Sequence, residues 1–166
     1  MGTDGNWRQA ETQDSLQSVD QLTSQRVVAL TILCHPDIER IGEVSRLSSL
    51  LLGRPSALSR LEPIFGSPGR SRGEPLADPR ISRRPVWIQN HAGGIQLDCR
   101  ETSTRVVANG EPVDGIARFG AGELDRGIVL QLGAWFAILI HRLPGVGGQA
   151  TGHGLIGASD AVQRIR

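Results

Sequence analysis

Short apolar runs rich in β-branched residues, each cut off by Gly, Pro or Asn-Gly, constrain the fold of this chain more than any other feature. Val27 to Leu33 is the densest such run and predicts a first strand, closed by the turn chemistry of His35-Pro36-Asp37. Ile41 to Ser45 alternates apolar and polar and suits a second strand. Leu50-Leu51-Leu52 reads as a third, stopped by Gly53-Arg54-Pro55, and residues 66–80 read as a long loop with little core potential. Val86 to Gln89, Gly94 to Cys99 and Arg105 to Ala108 follow as strands. Asn109-Gly110 then separates Val107-Ala108 from Glu111-Pro112-Val113. A two-residue type I′ turn needs positive φ at both centres, so Asn-Gly is a strong hairpin signal. A short helical turn is expected over Gly120 to Arg126, and Ile128–Leu132 and Trp135–Leu143, joined at Gly133, complete the set. Many short strands with little helical period predict an all-β sandwich or barrel. Its inward residues should be Val28, Leu30, Ile32, Leu51, Trp87, Ile88, Leu97, Val129, Leu130, Ile138 and Ile140.

Composition narrows the function classes. Net charge is 18 − 17 = +1, so no overall basic field argues for nucleic acid. All 18 basic residues are Arg, so any anion site must use guanidinium, backbone N–H or hydroxyl groups. No run of about 18 apolar residues occurs, which excludes a transmembrane helix. The polar first 25 residues lack the apolar stretch of a secretory signal, so the expected location is the cytoplasm. Cys34 and Cys99 read as two buried or half-buried free thiols. The four His show no metal-ligand spacing with the two Cys, and no carboxylate pair or triad suggests catalysis. No metal, cofactor or enzymatic activity is expected. Gly145-Val146-Gly147-Gly148-Gln149-Ala150 fits a G-x-G-x-x-A string, and Gly147 to Gly152 the glycine spacing of a P-loop. The first lacks the helix, strand and acidic residue that must follow. The second has His153-Gly154 where Lys and Ser/Thr are needed.

Three pieces do belong together: Leu52-Gly53-Arg54, Ile81-Ser82-Arg83-Arg84-Pro85, and Asn109-Gly110 before Glu111. In this order they resemble a forkhead-associated (FHA) domain, over about residues 25–143. The resemblance implies an FHA-type (SMAD/FHA-like) β-sandwich of two antiparallel sheets that reads phosphothreonine through loops at one end. It also implies the residues. Arg54 would clamp the phosphate with two parallel N–H···O bonds. Ser82 would donate a hydroxyl and Arg83 a second cation, while Ser103 and Thr104 would hold the peptide. Asn109 and Gly110 would form the structural turn. Two positions depart from the family pattern. Pro85 stands where a loop-bracing His is usual. Thr104 stands where an Asn would offer both carbonyl and amide to a peptide, and a single hydroxyl grips less.

Past Leu143 the composition changes. Residues 144–154 read as a Gly-rich linker, matched by a flexible leader over 1–24. Leu155-Ile156-Gly157-Ala158-Ser159 and the amphipathic residues to 166 are similar to the opening of the AAA+ domain of sigma-54-dependent bacterial activators. That resemblance implies the regulatory domain of such an activator, truncated at the start of an ATPase. The partner would be a phosphothreonine-containing protein segment or another domain of the same regulator, with neither nucleic acid nor membrane bound by this fragment. Homo-oligomerisation would belong to the full-length protein. The alternative is a degenerate FHA domain acting as a phosphate-independent interaction or dimerisation module.

Overall fold

The eight residues Val27–Cys34 form β1, whose alternation sends Val28, Leu30 and Ile32 into the core. The computed structural model describes residues 26–67 and 72–144. The expectations placed on 1–24, on the Gly-rich tract after Pro144 and on 155–166 lie outside the described residues. Further strands are β2 (Val44–Arg46), β3 (Ser56–Leu58), β4 (Val86–His91), β5 (Gly94–Asp98), β6 (Val106–Ala108), β7 (Glu111–Pro112), β8 (Ile116–Phe119), β9 (Ile128–Leu132) and β10 (Phe136–Leu143). Two short helices, α1 (Ser48–Leu51) and α2 (Ala121–Arg126), interrupt them.

The strands make two antiparallel sheets, one in the order β2-β1-β10-β9-β6-β7 and the other β3-β4-β5-β8. β1 pairs with β10 from Val27↔Leu143 to Cys34↔Ala137, so the first and last strands of the Arg26–Leu143 unit lie side by side. Inner-face residues of both sheets, among them Leu30, Ile88, Leu97, Leu130, Ile138 and Ile140, form the buried core. This is a sandwich of the FHA type in its layers and strand directions.

The departures from the sequence reading are local. Leu50-Leu51-Leu52 is not a strand: α1 buries Leu50, and Leu51 and Leu52 face outward, Leu52 at 72% exposure. Unbranched Leu is a good helix former, and a helical turn needs only one of three consecutive residues on its inner side. Trp87 and Val129 are half-buried because they occupy the outer positions between Val86 and Ile88 and between Ile128 and Leu130. Cys34 is exposed and only Cys99 is buried. Burial, helped by Asp98, pushes the Cys99 thiol up to about 11.

The described part of the 66–80 loop, from residue 72 on, is more anchored than its composition predicts. Leu76 enters the core, and Phe65 bridges Glu74. Arg40, only 6% exposed, holds the loop from inside. Its guanidinium donates to Glu43 Oε2 at 2.9 Å and to the carbonyls of Pro75 at 2.8 Å and Glu74 at 3.0 Å. An Arg is rarely this buried unless every donor is directed at an acceptor, which is the case here.

Candidate functional site

Two loops meet at one end of the sandwich: β3–β4, over 59–85, and β5–β6, over 99–105. The first leaves β3 through a tight turn. Ser59 N–H donates to the Glu62 carbonyl at 2.7 Å, and the Ser59 hydroxyl accepts from Leu61 N–H at 3.1 Å. Arg60 is then stitched on both sides of its backbone. Its N–H donates to the Ser82 carbonyl at 3.1 Å, and its carbonyl accepts from Ala77 N–H at 2.8 Å.

The return of this loop toward β4 is shaped by Asp78. Its carboxylate accepts from Arg80 N–H at 2.8 Å, from Arg80 Nε at 2.9 Å and from the guanidinium end at 2.7 Å. The Arg80 guanidinium thereby holds the Asp78 carboxyl down to about 2. Arg80 also lies over the Trp135 ring, 5.5 Å from its centroid, which ties the loop to the β9–β10 turn. The second loop opens with the same device: Asp98 accepts from Arg100 N–H at 3.1 Å and from Arg100 Nε at 2.9 Å. An Asp that accepts from the N–H two residues on mimics a backbone turn, so Asp-x-Arg sets the chain direction where the first loop returns and where the second begins.

A hydrogen bond joins the loops. Ser82 N–H donates to Thr104 Oγ1 at 2.7 Å. Thr104 N–H is taken by Thr102 Oγ1 at 3.2 Å, and Gly133 N–H donates to the Arg105 carbonyl at 2.8 Å. The Ser82 hydroxyl accepts from Arg84 N–H at 3.0 Å. A hydroxyl that accepts in this way still has its own proton to donate, so Ser82 can brace the turn and contact a ligand at once.

Between the loops lies an open pocket of about 510 Å³, lined by Arg60, Pro79, Ile81, Ser82, Arg83, Arg84 and Ser103. It contains three guanidiniums, two hydroxyls and no acid. Arg40, Arg80, Arg100 and Arg142 each pair with a carboxylate, whereas Arg60, Arg83 and Arg84 pair with none among the described residues. Such a pocket can take a dianion through charge-assisted hydrogen bonds. No three His, Cys, Asp or Glu among the described residues are grouped to hold a metal ion. Among them, too, no helix is long and apolar enough to cross a membrane.

The sequence-derived site residues divide. Ser82, Arg83 and Ser103 line the pocket, and Thr104 stands behind it as the acceptor that fixes Ser82. Asn109, at φ 49°, and Gly110, at φ 90°, occupy the two centres of the β6–β7 turn. The Asn109 side chain accepts from Val129 N–H at 2.9 Å and serves the sheet, away from the pocket lining. Arg54 is not brought to the cluster. β3 pairs with β4 as Ser56↔Ile88 and Leu58↔Val86. Arg54 therefore precedes β3 at the far end of β4, where Asn90 donates to the Leu50 carbonyl, and Arg60 follows β3 at the end beside Ser82. Arg60 and Arg84 are the residues that sequence reading missed. The available signal was Leu58-Ser59-Arg60, a strand end followed by Arg. It was masked because β3 is only 3 residues long and has no β-branched member.

The solution structure of the FHA domain of an Arabidopsis thaliana hypothetical protein matches this fold with a TM-score of 0.52 at 20% identity. The match covers 78% of this chain and 94% of that one. No family model matches the chain, and no curated protein does.

Proposed function

We propose that the Arg26–Leu143 unit, with its FHA-type fold, is a phosphothreonine-reading regulatory module whose phosphate site is Arg60, Ser82, Arg83 and Ser103. The observation that carries this reading is the pocket itself: Arg60, Arg83 and Arg84 without carboxylate partners among the described residues, beside two hydroxyls, in a lining with no acid. A phosphothreonine carries about −1.5 to −2 charge and three acceptor oxygens, which suits a guanidinium and hydroxyl set and has no use for a nucleophile or base. Arg60 takes the role that the sequence reading assigned to Arg54. Thr104 acts first through Ser82: its hydroxyl accepts from the Ser82 N–H, which leaves one O–H and no amide to offer a peptide. The Leu155-Ile156-Gly157 tract supports a cytoplasmic sigma-54-dependent activator as the parent protein, with ATP hydrolysis and promoter binding assigned to other domains.

The commitment of Thr104 to the loop also favours a second reading, a phosphate-independent interaction module, because it leaves that residue less able to hold a peptide backbone. One experiment separates the two. A phosphothreonine peptide library should yield binders that their unphosphorylated counterparts do not match, with affinity falling as salt rises. Equal binding of both forms selects the second reading.

A further inference from the structure

The hydroxyl groups around the pocket are not equivalent. The Ser82 hydroxyl accepts from Arg84 N–H at 3.0 Å, Thr104 Oγ1 from Ser82 N–H at 2.7 Å, and Thr102 Oγ1 from Thr104 N–H at 3.2 Å. Each of these helps to hold a loop in shape. Ser103 lines the same pocket, is exposed, and makes no side-chain hydrogen bond among the described residues. It stands on the β5–β6 loop, whereas Arg60, Arg83 and Arg84 stand on the β3–β4 loop. A free hydroxyl and three guanidiniums without carboxylates thus line one opening from different segments. The chain just before Ser103 is accessible too: Arg100, three residues upstream, has a side chain 66% exposed. Charge patterns of this kind are among the features by which kinases select substrates.

From this arrangement we infer that Ser103 is a phosphorylation site whose phosphate is held by the pocket's own arginines and closes the site to an external phosphate. The inference rests on the phosphothreonine reading for the ligand that is shut out, and not for the internal contact. A serine kinase performs the step with a nucleoside triphosphate as phosphoryl donor. The Ser103 Oγ–P bond forms as the bond from the γ-phosphorus to its bridging oxygen breaks. The nucleoside diphosphate leaves with that electron pair, and the hydroxyl proton passes to the kinase's base. The product has about −1.5 to −2 charge and three acceptor oxygens, in a lining where Arg60, Arg83 and Arg84 offer charge-assisted bonds. Ser82 is the poorer target, being half-buried with its hydroxyl engaged by Arg84 N–H in the turn that presents Arg83 and Arg84. A phosphate tethered in the pocket competes at an effective concentration of roughly millimolar, which an external peptide must overcome.

The test uses the whole chain, unmodified and with phosphoserine inserted at position 103 during translation. A panel of arginine-directed serine kinases, supplied with nucleoside triphosphate, should add phosphate to the tryptic fragment 101–105, and Ser103→Ala should abolish the addition. In a phosphorus-31 NMR titration, the second ionisation of the inserted phosphoserine should lie below that of the same chain unfolded in urea, because guanidiniums favour the dianion. Arg60→Gln should move it back toward the unfolded value, and Arg83→Gln provides a second variant should Arg60→Gln misfold. The tightest phosphothreonine peptide of the library should bind the phosphoserine form at least about tenfold more weakly than the unmodified chain in fluorescence anisotropy. Three results each overturn the inference: an ionisation equal to the unfolded one, an affinity changed less than about twofold, or a fragment that no kinase of the panel modifies. In each case, peptide binding to the unmodified chain leaves the phosphothreonine reading standing. Failure of every phosphothreonine peptide to bind the unmodified chain overturns that reading, and the phosphorus titration then decides the internal contact by itself.

Discussion

Arg40 and Arg60 are the same residue type set to opposite uses, and the contrast explains how the molecule is built. Arg40 is enclosed, with its donors directed at Glu43 and at the carbonyls of Glu74 and Pro75. It joins the segment after β1 to the long loop that carries Ser82. Arg60 sits on that same loop with its backbone bound to Ser82 and Ala77, while its side chain lines an open pocket without a counter-charge among the described residues. A buried charge with satisfied donors orders the chain around it, and a half-exposed charge without a partner is available to a ligand. The loop needs both: rigidity from the inside and unspent charge on the outside.

Five variants would sharpen or break this contrast. Arg40→Ala should have the largest effect, because it removes the buried guanidinium from Glu43 and takes their donor from the carbonyls of Pro75, Leu76 and Glu74. Breaking a buried pair from one side costs about 3–5 kcal/mol, to be read from chemical denaturation. A loss under about 1 kcal/mol would show that the clamp is ornamental. Arg60→Ala should leave stability within about 0.5 kcal/mol. Its phosphopeptide affinity should fall about ten- to hundredfold, since a hydrogen bond to a charged group is worth roughly 1.5–3 kcal/mol. Arg54→Ala, at the other end of β3, should change that affinity less than about twofold. If calorimetry reverses the two, the pocket is not the phosphate site.

Ser82→Ala should cost less than Arg60→Ala, about 1 kcal/mol of binding, because one neutral hydroxyl donor is lost while the guanidiniums stay. The smallest expected effect is on acid stability. The Arg80 guanidinium lowers the Asp78 carboxyl from 3.8 to about 2. A depressed carboxyl favours the folded state above its ordinary value and loses that contribution as the pH falls toward the folded value. Wild type should thus lose more thermal stability between pH 4 and pH 2 than Asp78→Asn does. Parallel melting curves for the two over that range would remove Asp78 from the account.

The strands that the sequence displayed well are those with β-branched residues and clear punctuation. Val27–Cys34, Val86–His91, Gly94–Asp98, Ile128–Leu132 and Phe136–Leu143 all fall where alternation and Gly/Pro breaks place them. β3 and β8 were not visible. Ser56-Ala57-Leu58 is an edge strand with one large apolar residue, and Ile116–Phe119 has its apolar residues half-buried or exposed at the other edge. Edge strands bury less, so their hydrophobic pattern is weak. The misreading of Leu50-Leu51-Leu52 bears on the proposed site. Once a strand is placed there, Arg54 becomes the Arg at a strand end, and attention moves away from Arg60.

The sequence by itself determined the all-β class, most of the core and the Asn109-Gly110 turn. All of these are set by local chemistry: side-chain period, backbone φ preferences and turn residues close together in the chain. Only the tertiary structure decided which arginines share a pocket. Arg60 and Ser82 come from distant parts of one long loop and Ser103 from another beyond two strands, and β3 has an Arg on either side in the sequence. Choosing between Arg54 and Arg60 requires the antiparallel pairing of β3 with β4, since pairing direction assigns each end of a strand to one end of the sandwich. The same holds for Thr104, whose hydroxyl is a free donor-acceptor in the sequence and the acceptor for Ser82 N–H in the fold.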